Sequence, residues 1–269
     1  MSIEQMGAVL IAFEGLSILS LLIQKKRIPA VIWIQTAITF VAFVILFMAP
    51  GNEMRVASEI TTWMPGYKEL SVGKHLFMTI QWMLSSFANE GKAFFIAIWA
   101  AGFLLLIKSK KAKVYQILAI VFSVAAILPY AGITFFSEMG IGDIDIEQCL
   151  TELPTWQSMT TQNRIAFFWW IAAVLFTLVL LWKVTGHSVF ISMVFLGGIA
   201  SEAVLYFSPT IYASGARVYY LTDLMYLFII LWMVMRMDSE KKKNLFIAGT
   251  AALGVINFLS QYSIMLLKL

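Results

Sequence analysis

Two arginines in turn-rich segments are the residues of this chain best suited to bind an anion. Arg55 ends a Pro-Gly-Asn-x-x-Arg motif at residues 50–55, and Arg217 ends a segment that begins with Ser208 and a proline. A guanidinium binds phosphate through two parallel hydrogen bonds, and a glycine-containing turn directs backbone N–H groups at the same anion. The pattern predicts that Arg55 and Arg217 bind one phosphate, with Asn52 shaping the first turn. The alternative is that each arginine contacts lipid headgroups.

Three carboxylates lie in or beside long apolar segments: Glu14, Glu202 and Asp223. An ionised carboxylate at bilayer depth costs about 2.5–3.5 kcal/mol on insertion scales, so such residues are usually paired or functional. Glu202 and Asp223 flank the Arg217 segment and are therefore the candidate catalytic residues, as a general base or as groups that orient the arginine. A structural pairing with Ser, Tyr or Trp is the alternative for Glu202. A protonated, structural carboxyl is the alternative for Glu14.

Other motifs that carry chemistry are few. The pair Asp143 and Asp145 resembles the acids that hold a divalent cation, but acidic residues that alternate with apolar ones are also common in solvated loops. We predict no metal site and no cofactor, with a divalent cation at this pair as the alternative. The two histidines, His75 and His187, are predicted on opposite sides of a membrane, which argues against metal catalysis through imidazole. The single cysteine, Cys149, excludes an intramolecular disulfide.

The elements that must position these residues are helices in a membrane. Apolar residues make up 61% of the 269 and charged residues 13%, with a mean hydropathy of +0.85. Soluble domains contain about 45–50% apolar and about 25% charged residues, so the composition indicates an integral membrane protein. The net charge of +4 comes from short Lys and Arg clusters between apolar segments, a pattern typical of membrane topology and not of nucleic-acid binding.

Eight apolar segments are long enough to be transmembrane helices, because about 17–25 residues span a bilayer core. We therefore predict an all-α protein, a single domain over residues 1–269 with about eight transmembrane helices. The segment Leu76 to Asn89 is shorter and broken by polar residues, so we expect an interfacial or re-entrant helix there. The eight predicted segments are Gly7 to Ile23, Ile28 to Met48, Gly91 to Ile107, Val114 to Phe136, Ile165 to Trp182, Ser188 to Ser208, Tyr220 to Met235 and Asn244 to Leu267.

The basic residues predict the orientation. In the eight-helix topology, 12 of the 19 Lys and Arg residues fall on one side, which the positive-inside rule makes cytoplasmic. Both termini and the segments 49–90, 137–164 and 209–219 then lie outside the plasma, or inner, membrane. The cytoplasmic connections are only a few residues long, too short for a soluble catalytic domain.

The Pro-Gly-Asn-x-x-Arg motif, together with the Ser208-Pro209 segment that ends at Arg217, resembles an uncharacterised bacterial family of polytopic proteins related to GT-C type O-antigen glucosyltransferases. The resemblance covers roughly Ile28 to Met235. It implies a protein that acts on a polyprenyl-phosphate-linked sugar in cell-surface glycan assembly. GT-C enzymes carry their catalytic acid in a large loop after the first transmembrane helix, and here that helix is followed only by the short basic segment 24–27. The chain therefore resembles the later part of the family alone.

Three hypotheses about function follow. The first is a GT-C-like membrane protein that binds or acts on a lipid-linked sugar, with membrane lipids and a second membrane subunit as partners and without catalysis by this chain alone. The second is a transporter or flippase that uses Glu14 and Glu202 in a polar path. The third is a non-catalytic membrane subunit. The sequence leaves open whether the protein is an enzyme.

Overall fold

A computed structural model describes residues 2–128, 155–186, 189–208 and 219–267 of the chain. Within these ranges the regular structure is entirely helical, and no strand is formed. The prediction of an all-α fold is confirmed. The described helices are α1 (Ser2–Ile23), α2 (Ala30–Phe47), α3 (Pro50–Trp63), α4 (Val72–Asn89), α5 (Lys92–Leu106), α6 (Lys113–Ile127), α7 (Thr161–Val184), α8 (Val189–Ala203), α9 (Tyr220–Met235) and α10 (Glu240–Leu267).

Each of the eight predicted segments overlaps one of these helices, with residues 129–136 of the fourth segment outside the described residues, and the segment from Leu76 to Asn89 forms most of α4. Short 3-10 turns over Tyr67–Glu69, Lys110–Ala112 and Val204–Phe207 accompany them. The first two helices are joined by residues 24–29 alone, so the described chain has no large loop after α1.

One sequence prediction is wrong: the Pro-Gly-Asn motif is the start of helix α3 and not a turn that Asn52 shapes. Proline, glycine and asparagine are all common in turns. Pro50, however, occupies the first turn of the helix, where a missing N–H costs nothing and the fixed φ suits the helix. Glu53, also in the first turn, complements the helix dipole. The helix ends at Trp63, because Pro65 disfavours a helical conformation at Met64, which has φ −154° and ψ 74°.

Helix length separates the helices into two classes. Met6–Ile23 and Asn163–Val184 are long and apolar enough to cross a membrane, and α4 with α5 would be a third span if this pair, bent by 68°, crosses as one. Helices α6 and α8 have 15 residues each in the described ranges, or about 23 Å at 1.5 Å per residue, less than a hydrocarbon core of about 30 Å. Eight crossings therefore stay a prediction.

Large apolar side chains cover outward faces of several helices. On α2 alone, Val31, Ile38 and Ile45 are exposed by 64–69%. Helices α6 and α10 carry similar exposed residues, such as Val114 and Phe258. Continuous apolar surface of this extent marks a contact with lipid or with another apolar partner, so these faces indicate membrane association.

The described residues form two compact units. Unit 1 consists of residues 2–84, 155–160, 189–208 and 219–225, and unit 2 of residues 85–128, 161–186 and 226–267. In unit 1, α1 packs against α2 and α8. Small residues allow this close approach: a Cβ added at Gly7 would lie 2.7 Å from the ring of Phe43, and one at Gly197 would overlap the ring of Phe13.

Unit 2 is built on an aromatic core. Trp99 is fully buried, and its Nε1–H donates a hydrogen bond to Thr177 Oγ1 at 2.8 Å, so the polar atom of the indole is satisfied. The ring of Phe95 contacts those of Trp99 and Trp170 at centroid distances of 5.8 and 5.7 Å. Gly102 lets α5 approach α7, because a Cβ there would lie 2.7 Å from a terminal methyl of Leu180.

Two basic connections of unit 2 meet at Asp238. Its carboxylate accepts from Lys108 Nζ at 2.9 Å and from Lys242 Nζ at 2.8 Å. Hydrogen bonds from Lys242 and then Lys108 hold the pKa of this carboxyl well below its ordinary value. Nearby, the guanidinium of Arg236 lies 4.8 Å from the ring of Trp232. The segments that follow α5 and α9 are thus linked by ion pairs.

Candidate functional site

Arg55 lies in the second turn of α3, in unit 1. Its Nε is 3.6 Å from Oε1 of Glu59, one turn further along the helix, and the two side chains are 39% and 20% exposed. A pair of this kind between neighbours on a helix contributes little to stability. The guanidinium is partly exposed, so an anion can reach it.

The other two predicted phosphate-binding residues are less fully described. Asn52 lies in the first turn of α3, so its backbone is helical. Arg217 lies outside the described residues, as do Asp143, Asp145 and His187. The convergence of Arg55 and Arg217 on one phosphate, and the alternative cation site at the aspartate pair, stay predictions.

Glu202 and Asp223 lie in segments that the fold brings together. Thr222 Oγ1, one residue before Asp223, donates a hydrogen bond to the carbonyl oxygen of Gly198 at 3.1 Å. This contact joins the first turn of α9 to α8, one turn before Glu202. Glu202 is only 1% exposed, whereas Asp223 is partly exposed. One acid is therefore buried and the other accessible.

Glu14 is the third carboxylate of unit 1, near the middle of α1. It is 7% exposed, and its Oε1 accepts a hydrogen bond from Thr39 Oγ1 of α2 at 2.9 Å. Its Oε2 is buried without a hydrogen-bond partner in the described part of the chain. Buried polar atoms are nearly always paired, so this oxygen makes Glu14 a candidate functional residue.

Sequence reasoning missed a small pocket in unit 1 around His75. Three aromatic rings line it, from Tyr67, His75 and Tyr206, together with the side chains of Met64 and Met78. The His75 ring lies 4.7 Å from that of Tyr67 and 5.3 Å from that of Tyr206. Tyr67 and Tyr206 are also linked directly, since the Tyr67 hydroxyl lies 3.5 Å from the Tyr206 carbonyl oxygen. Burial is the main cause that raises the pKa of Tyr67.

The sequence contains one weak signal for this pocket. His75 and Met78 are three residues apart and therefore share a face of α4. Tyr206 is 139 residues from Tyr67, so no local pattern links the two. Among the described residues, no three of the types His, Cys, Asp and Glu lie together as a metal site.

Comparison of the chain with protein-family models, curated proteins and solved structures finds no match. The likeness to GT-C related proteins therefore depends on the two motifs in the sequence.

Proposed function

We propose that the protein is a multi-pass protein of the inner membrane that binds a polyprenyl-phosphate-linked sugar in cell-surface glycan assembly. Arg55 binds the phosphate, together with Arg217. The observation that carries the proposal is the position of Arg55: partly exposed, beside Glu59, and in the second turn of a helix that directly follows the apolar helix α2. A phosphate on a lipid chain fits this position, because the chain is accommodated by apolar surface beside the charge.

The proposed topology has support in unit 2. Lys108 and Lys242 share Asp238, so two of the basic clusters used to assign the cytoplasmic side lie together. Both termini and the Arg55 segment are then external. Labelling of single cysteines in a Cys149→Ser background tests this topology. We expect Lys110→Cys and Lys242→Cys to react only from the inside and Asp143→Cys only from the outside.

The binding test uses the purified chain in nanodiscs and a synthetic polyprenyl phosphate. We expect Arg55→Ala and Arg217→Ala each to weaken binding about 10- to 150-fold, the equivalent of a charge-assisted hydrogen bond of about 1.5–3 kcal/mol. Arg164→Ala, in the first turn of α7, is the matched control and leaves binding unchanged. If both arginines hold one phosphate, the double variant loses less than the product of the single losses. Two results would contradict the shared site. One is a loss of binding in the double variant that equals the product of the two single losses. The other is a loss in Arg55→Ala no larger than that in Arg164→Ala.

Catalysis by this chain alone is not part of the proposal. Because no acidic loop follows α1, we expect the isolated chain to transfer no sugar even when the lipid phosphate is bound. Transfer by the isolated chain would make Glu202 and Asp223 the first residues to replace.

The buried carboxylates support a second candidate function, that of a proton-coupled transporter or flippase. Glu14 in α1 and Glu202 in α8 are both buried, and these two helices pack against each other. In proteoliposomes with an internal pH dye, this function predicts a proton flux that Glu14→Gln abolishes. A flux that survives both Glu14→Gln and Glu202→Gln rules out this role for the two acids.

A further inference from the structure

The pocket around His75 contains an imidazole nitrogen that needs a partner. His75 Nε2 is buried and has no hydrogen-bond partner among the residues that the structure describes. The rings of Tyr67 and Tyr206 hold the imidazole from two sides. A buried ring nitrogen is normally hydrogen-bonded or bound to a metal, so His75 Nε2 is a candidate ligand atom.

Two thioether sulphurs line the same pocket. Met64 is 3% exposed and Met78 is 2% exposed, and they come from different segments. Met78 lies one turn after His75 on α4, whereas Met64 is held where α3 ends, with its carbonyl oxygen accepting from the N–H of Tyr67 at 3.0 Å. Both methionines also pack against Trp82, which by itself would make them ordinary core residues. The buried His75 nitrogen beside the two methionines distinguishes this cluster from an ordinary hydrophobic core.

The size of the pocket favours an ion over an organic ligand. Its cavity volume is about 10 Å³, about the room that one water molecule needs, whereas pockets for small molecules commonly measure about 300–1,000 Å³. Among the described residues no carboxylate lines the pocket, which disfavours hard cations such as Mg²⁺ and Ca²⁺.

The donor set selects the class of ion. Thioether sulphur is a soft ligand that favours Cu⁺, and imidazole also binds copper. Tyrosine rings attract cations through their faces. We propose that this pocket binds one soft monovalent cation of the Cu⁺ and Ag⁺ class, with His75 Nε2 and the sulphurs of Met64 and Met78 as its ligands. The site is independent of the lipid-phosphate proposal, since it uses none of the same residues.

The test measures Ag⁺ binding, because Ag⁺ needs no reductant to keep its oxidation state. The full chain is used in a Cys149→Ser background, since a thiolate would bind the ion by itself. Calorimetry in detergent is expected to show one Ag⁺ per chain. His75→Gln and the double variant Met64→Leu/Met78→Leu are each expected to weaken this binding more than about tenfold, a change of the size that altered metal-site residues commonly produce. Met83→Leu, which packs against the same cluster without lining the pocket, is the matched control.

X-ray absorption of the Ag⁺-loaded protein gives a second readout. We expect sulphur and nitrogen neighbours in the wild-type spectrum and loss of the nitrogen contribution in His75→Gln. Met and Leu have similar volumes, so the double methionine variant is expected to keep the fold even where His75→Gln does not. Absence of Ag⁺ binding in the Cys149→Ser protein, or binding unchanged by every pocket variant, overturns the proposal.

Discussion

Trp99 in unit 2 and three polar residues in unit 1 are contrasting examples of buried polar groups. In unit 2 the indole N–H of Trp99 is paired with Thr177 inside an aromatic core. In the described part of unit 1, buried polar atoms of Glu14, His75 and Gln81 have no hydrogen-bond partner. Unpaired buried groups cost stability and are kept where they serve binding or proton transfer. Trp99 is therefore a candidate scaffold residue of unit 2, and Glu14 and His75 are candidate functional residues of unit 1.

The largest effect is expected in the core of unit 2. Trp99→Ala removes a fully buried ring and the partner of Thr177, so the free energy of unfolding in detergent should fall by about 3–5 kcal/mol. Trp33→Ala on α2, where the indole is 54% exposed, is the control and should cost less than about 1 kcal/mol. Equal losses in the free energy of unfolding for Trp99→Ala and Trp33→Ala would show that the buried core of unit 2 contributes no more to stability than the exposed face of α2.

A smaller effect is expected at Glu14 in unit 1. Thr39→Val deletes the hydroxyl that donates to Glu14 and should lower the free energy of unfolding by about 0.5–1.5 kcal/mol. The cost of Thr39→Val should persist in Glu14→Gln, whose amide oxygen still accepts, and vanish in Glu14→Leu. Equilibrium unfolding of the double-mutant cycle measures this coupling. A zero coupling energy would show that the pair does not join α1 to α2.

The smallest effect is expected at the exposed Asp238. Its pKa is lowered in the folded protein by Lys242 and Lys108, so its contribution to stability is present above the unfolded value of about 3.8 and is lost as the pH falls below it. The melting temperature of wild type should therefore exceed that of Asp238→Asn near pH 6. This difference in melting temperature should shrink below about pH 3.8, the unfolded pKa, and also at high salt. A difference in melting temperature that does not change with pH would show that Asp238→Asn acts through packing and not through the lost charge.

Helix positions were predictable because apolar segments of sufficient length have few alternatives, and each of the eight predicted segments overlaps a described helix. Helix α3 was missed because Pro50, Gly51 and Asn52 favour both turns and helix starts, and only the residues that follow decide between them. The number of membrane crossings stays open, since several helices are shorter in the structure than the apolar segments that contain them.

Composition and segment length alone predict a helical, membrane-associated protein, because exposing so much apolar surface to water is costly. The burial of Glu14 and Glu202 follows from the same argument, since they interrupt apolar segments. Only the tertiary structure decides which distant side chains meet. The contacts of Tyr67 with Tyr206 and of Lys108 with Asp238 join residues 139 and 130 positions apart. No local periodicity encodes such pairs, because they depend on how whole helices pack, and the pocket around His75 exists for that reason.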